Sequence, residues 1–88
     1  MSWKIKIDPR ALNELEKLDQ VVRVRVTKFI YQKIASSENP RIFGKMLKGD
    51  LGDFFRYRVG DYRILCHIKD KEFEVLVIKV GHRRNVYN

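Results

Sequence analysis

Between Phe54 and Ile68 large apolar and charged side chains alternate, and the alternation breaks once, at Gly60-Asp61. A period of two marks strands with one buried face, and a two-residue turn containing glycine joins two of them into a tight hairpin. With Gly60 and Asp61 as the loop, Val59 faces Tyr62, Arg58 faces Arg63 and Arg56 faces Leu65. Phe55, Tyr57, Val59, Tyr62, Ile64, Cys66 and Ile68 then line a core face. Arg56, Arg58 and Arg63 line the other face, with Phe54, Leu65 and His67. Like charges directly opposite each other destabilise a sheet, so Arg58 against Arg63 fits either an anion-binding face or a solvated basic one.

The same patterning orders the rest of the chain. Trp3, Ile5 and Ile7 alternate with Lys4 and Lys6 and predict a first strand. Asp8-Pro9 supplies an N-cap and a proline for a helix that carries Ala11, Leu12, Leu15 and Leu18. Asp19 caps a second helix from Gln20 to Ala35. Val21 to Val26 is β-branched and alternating, which by propensity favours a strand. Against that, Val22, Val26, Phe29, Ile30 and Ile34 form one helical stripe with no turn signal before Ser36. Ser36 to Asp53 reads as a connector punctuated by Pro40, Gly44, Gly49 and Gly52. After the hairpin come a turn at Asp70-Lys71 and a last strand, Phe73–Val80, with His67 expected to pair with Glu74. The tail, Gly81 to Asn88, is too polar for a core strand and too short for a substantial helix. The expected fold is α+β over a single domain, 1–88: two N-terminal helices on a mainly antiparallel sheet of about four strands, in the order β-α-α-β-β-β, with the other face open.

Composition sharpens this. Eighty-eight residues with 44% hydrophobic content make a folded chain near the size where one core is only just sufficient. The net charge of +8 points to polyanionic partners: nucleic acid, ribosome or an acidic protein. Arg41, Lys45 and Lys48 add positive charge beside Phe43, Met46 and Leu47 in the connector. The single cysteine, Cys66, excludes an internal disulfide and suits a reducing cytosol, and its place in the pattern makes it a buried apolar residue, not a nucleophile. There is no secretory signal and no apolar run near the ~20 residues needed to cross a bilayer, so a soluble cytoplasmic protein without a membrane partner is expected. Asp53 and Asp61 are turn residues, the glycines form no phosphate cradle, and one Cys with two His makes no convincing metal site.

One combination is more specific. Leu47-Lys48-Gly49-Asp50 is followed by Phe55-Arg56-Tyr57-Arg58-Val59-Gly60-Asp61-Tyr62-Arg63, and the chain closes with Val80-Gly81-His82-Arg83-Arg84-Asn85-Val86-Tyr87. With the strand and two helices before it, this resembles the RelE branch of the RelE/ParE toxin superfamily over nearly the whole chain. The resemblance implies a type II toxin held inactive by an antitoxin, which cleaves messenger RNA in the ribosomal A site without metal or other cofactor. The chemistry it implies is attack of a ribose 2′-OH on the adjacent phosphate. That reaction needs a base, an acid at the leaving oxygen and positive charge around the phosphorane.

Carried over by position, the resemblance makes Arg63 and Arg83 phosphate ligands and Tyr87 a stacking or proton-transfer residue. Arg56 and Arg58 stand where the best-known members carry lysines and use one as a base. Arginine, with a pKa above ~12, is a poor base. Either Arg56 and Arg58 act electrostatically, or another residue is the base, with His82 at an ordinary pKa of ~6.5 the substitute. Arg41, Lys45, Lys48 and Arg84 are the expected RNA- or ribosome-binding cations. The implied partners are a RelB-like antitoxin with an acidic, amphipathic binding segment, the ribosome and mRNA. The implied toxin–antitoxin complex is heterotetrameric or larger and binds its operator through the antitoxin. Two alternatives share the fold or the charge: a ParE-like gyrase poison, which generally lacks this basic and tyrosine set, and a non-catalytic RNA- or ribosome-binding module.

Overall fold

Alternation and helical stripe produce the expected layers, with one more strand than the sequence showed. The computed structural model describes residues 2–49 and 52–86, excluding the side chains of 48–49, 52–53 and 85–86. In chain order these are β1 (Lys4–Ile7), α1 (Pro9–Glu16), α2 (Gln20–Lys28) running on into a π-helical turn (Phe29–Ile34), a 3-10 turn (Pro40–Phe43), β2 (Lys45–Gly49), β3 (Gly52–Val59), β4 (Tyr62–Lys69), a 3-10 turn (Asp70–Glu72), β5 (Glu74–His82) and α3 (Arg83–Val86). The sheet order is β1-β5-β4-β3-β2; β1 runs parallel to β5 and every other pair is antiparallel.

The helical layer forms for the reasons the stripe suggests. Asp8 caps α1 by accepting the Arg10 amide at 2.9 Å. Asp19 occupies the N-cap position of α2, but its side chain makes no capping bond. Val26, Ile30 and Ile34 are completely buried against the sheet, which is how tertiary packing overrides the β propensity of the valine run. The helix widens at its end, where the Ala35 amide reaches the Ile30 carbonyl at 3.0 Å. Opposite lie Tyr57, Ile64, Cys66, Val75, Val77 and Val80, also buried. Burial pushes the Cys66 thiol well above its ordinary pKa, so it stays protonated within the core, as its place in the pattern anticipates.

Two expectations need correction. The connector between Ser36 and Asp53 contains β2, so the sheet has five strands. As an edge strand β2 is held mostly by its ladder with β3, and Met46 is half-exposed. Its short sequence therefore lacks the apolar alternation that marks a strand with a buried face. Gly44, just before it, passes against β3 so closely that a Cβ there would lie 2.8 Å from the Arg56 carbonyl and 2.9 Å from the Tyr57 ring. The Tyr57 hydroxyl donates to the Pro40 carbonyl at 2.8 Å and fixes that approach. Second, His67 stands opposite Leu76, not Glu74, and its ring packs on Phe54 with centroids 4.6 Å apart. Glu74 stands opposite Lys69 and forms ion pairs with Lys6 and Lys69.

The last strand begins after Phe73, whose left-handed φ of 47° ends the turn, and it extends two residues beyond Val80. A β-bulge makes the extension possible: Cys66 pairs with Val77 and Leu65 with Lys79, which leaves Ile78 as the extra residue. The bulge returns Val80 to the core face with Val75 and Val77. β1 ends opposite Val77, so the outer half of β5 has no strand on that side. There the Val80 amide donates to the Glu14 carboxylate of α1 at 3.1 Å. Among the described residues no helix is long and apolar enough to cross a membrane.

The Glu14–Val80 bond should be measurable by urea unfolding. Glu14→Ala strands a part-buried amide and is expected to cost about 1–3 kcal/mol, whereas Glu14→Gln, which keeps an acceptor oxygen, should cost less than about 1 kcal/mol. Equal losses in both variants would show that the bond does not hold α1 to β5.

Candidate active site

The hairpin sets the site. In β3 and β4, Val59 pairs with Tyr62, Arg58 with Arg63 and Arg56 with Leu65, as the turn requires. Continued across the sheet, the register lays Lys45, Arg56, Leu65 and Lys79 in one row and Arg58, Arg63 and Gly81 in the next, on the face away from the helices. Neighbouring strands lie about 4.8 Å apart and alternate residues about 7 Å apart along a strand. Three arginines therefore share one small patch, and Gly81 presents no side chain beside Arg63.

Arg63 is only 8% exposed. A charge so buried needs polar partners, and it finds them in its own turn: Nη1 donates to the carbonyls of Gly60 and Tyr62, each at 3.0 Å. Gly60 has a left-handed φ of 59°, a conformation that glycine adopts without strain. The intervening carbonyl, that of Asp61, accepts the Arg83 amide at 2.9 Å. Three successive carbonyls thus anchor Arg63 and the start of α3. One nitrogen of Arg63 is used, in a group that carries five N–H donors. Arg58 is exposed, Arg56 half-buried and Arg83 exposed.

His82 does not join them. It pairs with Tyr62, so it lies on the face of Val80 and Tyr62, across the sheet from Arg63. Its ring meets Tyr62 edge-on at 5.5 Å, and Nδ1 accepts the Arg84 amide at 3.2 Å. Arg41 is also elsewhere. It forms a two-pronged pair with Asp70 at 2.7 Å per bond and lies over the Phe55 ring at 5.2 Å. The pair raises the Arg41 pKa and holds the Asp70 carboxyl below its ordinary range. Arg41 is thereby neutralised on the core side instead of serving the basic face. Lys45 stands beside Arg56, a neighbour it gains only through β2. Lys48 pairs with Asp53 in the ladder, its side chain lying outside the description, and Arg84 is exposed on α3. Tyr87 falls outside the described residues.

The structure adds residues that the sequence reading missed. Where β2 starts, a cleft of about 490 Å³ is lined by Phe29, Lys33, Phe43, Gly44, Lys45, Arg56 and Arg58. Phe29 and Lys33 are four residues apart, one helical turn. That spacing was a readable signal, but nothing in the sequence says that their turn abuts the end of β3.

Comparison with known proteins identifies the family and the fold. Residues 5–87 match the family described as the ParE toxin of the parDE type II toxin–antitoxin system. The chain is 30% identical to Toxin RelG of Mycobacterium tuberculosis, across 99% of this chain and 98% of that protein. It is 32% identical to the mRNA interferase toxin RelE of Escherichia coli, across 94% and 85%. Its backbone superposes on a chain of the RelBE2 toxin–antitoxin complex from M. tuberculosis with a TM-score of 0.85 at 28% identity, covering 94% of this chain and all of that one. A chain of the intact E. coli RelBE complex gives 0.73, also at 28% identity, covering 92% and 96%.

The placement of the two kinds of arginine predicts different salt behaviour. If the exposed Arg58 contacts a phosphate, then for a short single-stranded RNA followed by fluorescence anisotropy Arg58→Ala should lower the slope of log K against log salt by about 0.7. Arg41→Ala should leave the slope unchanged and cost under about 1 kcal/mol of stability, because its ion pair is solvent-screened. The reverse pattern would put Arg41 back among the RNA contacts.

Proposed function

We propose that this chain, which belongs to the RelE/ParE family of type II toxins and is the toxin of a RelBE-type toxin–antitoxin system, is a ribosome-dependent mRNA endonuclease. The observation that carries the reading is the arginine patch: Arg58 and Arg63 in register, with Arg83 pinned to the same turn. In the reaction the 2′-oxygen bonds to phosphorus as the P–O5′ bond breaks. The 2′-proton leaves to a base and O5′ gains one, giving a 2′,3′-cyclic phosphate and a free 5′-OH. Negative charge builds on the non-bridging oxygens, and fixed guanidinium groups stabilise it most where water is excluded. Arg63, buried and already oriented by two carbonyls, suits that role best; Arg58 and Arg56 supply charge along β3 and Arg83 closes the patch from the tail. Arginine forks match phosphate oxygens and hold their charge at every physiological pH.

His82 serves the fold in this reading. It receives the Arg84 amide and packs on Tyr62, and so steadies the turn into α3 from the opposite face. The partner is a RelB-like antitoxin, supported by the likeness to toxin–antitoxin complexes. Acidic side chains of such a partner would neutralise the basic face, and the exposed Leu12, Val21 and Val24 of the helices offer it apolar contact.

Purified protein on programmed ribosomes, with the RNA ends sequenced, tests this. Cuts within the A-site codon are expected, and Arg63→Ala or Arg83→Ala should slow single-turnover cleavage about 10²–10³-fold. His82→Gln should stay within about threefold of the parent; a loss of about 10²-fold or more, the usual reach of general acid–base catalysis, would return the histidine to catalysis. Stalled gyrase cleavage complexes with intact mRNA would instead make it a gyrase poison.

A further inference from the structure

The cleft at the start of β2 is the strongest unassigned feature. β2 begins at Lys45, opposite Arg56, so residues 57–59 of β3 have no strand beyond them. Gly44 closes onto β3 there, and Phe29 and Lys33 approach from the helical layer. The resulting space of about 490 Å³ has four cations in its lining, Lys33, Lys45, Arg56 and Arg58, and no carboxylate. It has two aromatic rings. Phe29 packs edge-on against the buried Tyr57, while Phe43 is 39% exposed, with Lys33 Nζ 5.8 Å from its ring centroid. A second hollow, lined by Arg25, Lys28, Phe29, Gln32, Lys33 and Val59, adjoins the cleft along α2 and shares Phe29 and Lys33 with it.

We propose that this cleft is a second nucleotide subsite, in which Lys33 and Lys45 hold a phosphodiester of single-stranded RNA next to the one at Arg58 and Arg63, and Phe43 stacks its base. The inference rests on the RNA reading of the arginine face and extends it around the sheet edge. Volume and chemistry both fit. A cavity of several hundred Å³ holds a small ligand, and cations that track a backbone beside an exposed aromatic ring are the usual means of binding single strands. An acidic protein segment would satisfy the cations but has no use for the ring, so RNA is favoured. Alternate residues of β3 are about 7 Å apart, which lets Arg56 and Arg58 pass a strand from one phosphate position to the next.

The test is equilibrium binding of the full-length toxin to a short, fully 2′-O-methylated RNA, which cannot be cleaved, from about 50 to about 200 mM salt. Lys33→Gln should weaken binding about fivefold at low salt and lower the salt slope by about 0.7. Phe43→Leu should weaken it about tenfold with the slope unchanged, and Phe43→Tyr should restore it, since stacking needs only the ring. Lys17→Gln, beside β5 across the sheet, should change neither. Parental affinity and slope in both Lys33→Gln and Phe43→Leu, or an equal loss in Lys17→Gln, would overturn the subsite. So would variants that lose an acidic antitoxin peptide while keeping RNA. Ribosomal cleavage with none of these losses would remove the subsite alone; the losses without ribosomal cleavage would remove the nuclease reading alone.

Discussion

Arg58 faces Arg63 across the β3–β4 hairpin, and the rest of the site depends on that contact. Two guanidinium-bearing residues in direct register cost up to about 1 kcal/mol. The strands accept it because their other face carries Tyr57, Ile64 and Cys66, all completely buried. Each large core side chain contributes roughly 1.5–3 kcal/mol by burial, and a one-residue slip would turn all of them to water. The core outweighs the repulsion several-fold and fixes the arginines where they stand. Part of the strain is relieved locally, since Arg63 curls onto the carbonyls of Gly60 and Tyr62.

The same hairpin organises its surroundings. Its turn takes the Arg83 amide on Asp61, so the tail starts beside the arginine patch. At the far end of the chain's path, Tyr57 reaches through the core to the Pro40 carbonyl and holds the segment before β2 against β3. That tether, with the close approach at Gly44, creates the cleft by the sheet edge. A buried tyrosine and a glycine with no side chain thus position the cations next to them in the chain, Lys45, Arg56 and Arg58. Arg41 shows the opposite outcome: a cation near the site in sequence becomes a structural strut once Asp70 takes both of its prongs.

Local patterns made much of this legible. Alternation plus Gly60-Asp61 was enough to set the hairpin register, and the buried stripe through Val26, Ile30 and Ile34 was enough to read a helix against its β-branched composition. What remained hidden depends on distant partners. β2 is only the five residues Lys45–Gly49, whose run carries no alternating pattern, and its place is set by the ladder with β3. The Arg41–Asp70 pair spans 29 residues of sequence. The face of His82 turns on the bulge at Ile78. Without it, strict alternation from Val77 would send Val80 and His82 to the arginine face. The gain from burying Val80 favours the bulge and places His82 on the core face, across the sheet from Arg63.

If anion binding is what the arginine pair is kept for, the pair must weaken the free protein and strengthen the bound one. Urea unfolding of the parent and of Arg58→Thr, at low ionic strength and again with added inorganic pyrophosphate, measures this directly. At low ionic strength Arg58→Thr should be the more stable by about 0.5–1 kcal/mol, since it removes a like charge and adds a β-favouring residue. Pyrophosphate should raise the parent's stability more than the variant's and close or reverse that gap. A variant less stable than the parent at low ionic strength, with both responding equally to pyrophosphate, would contradict the account.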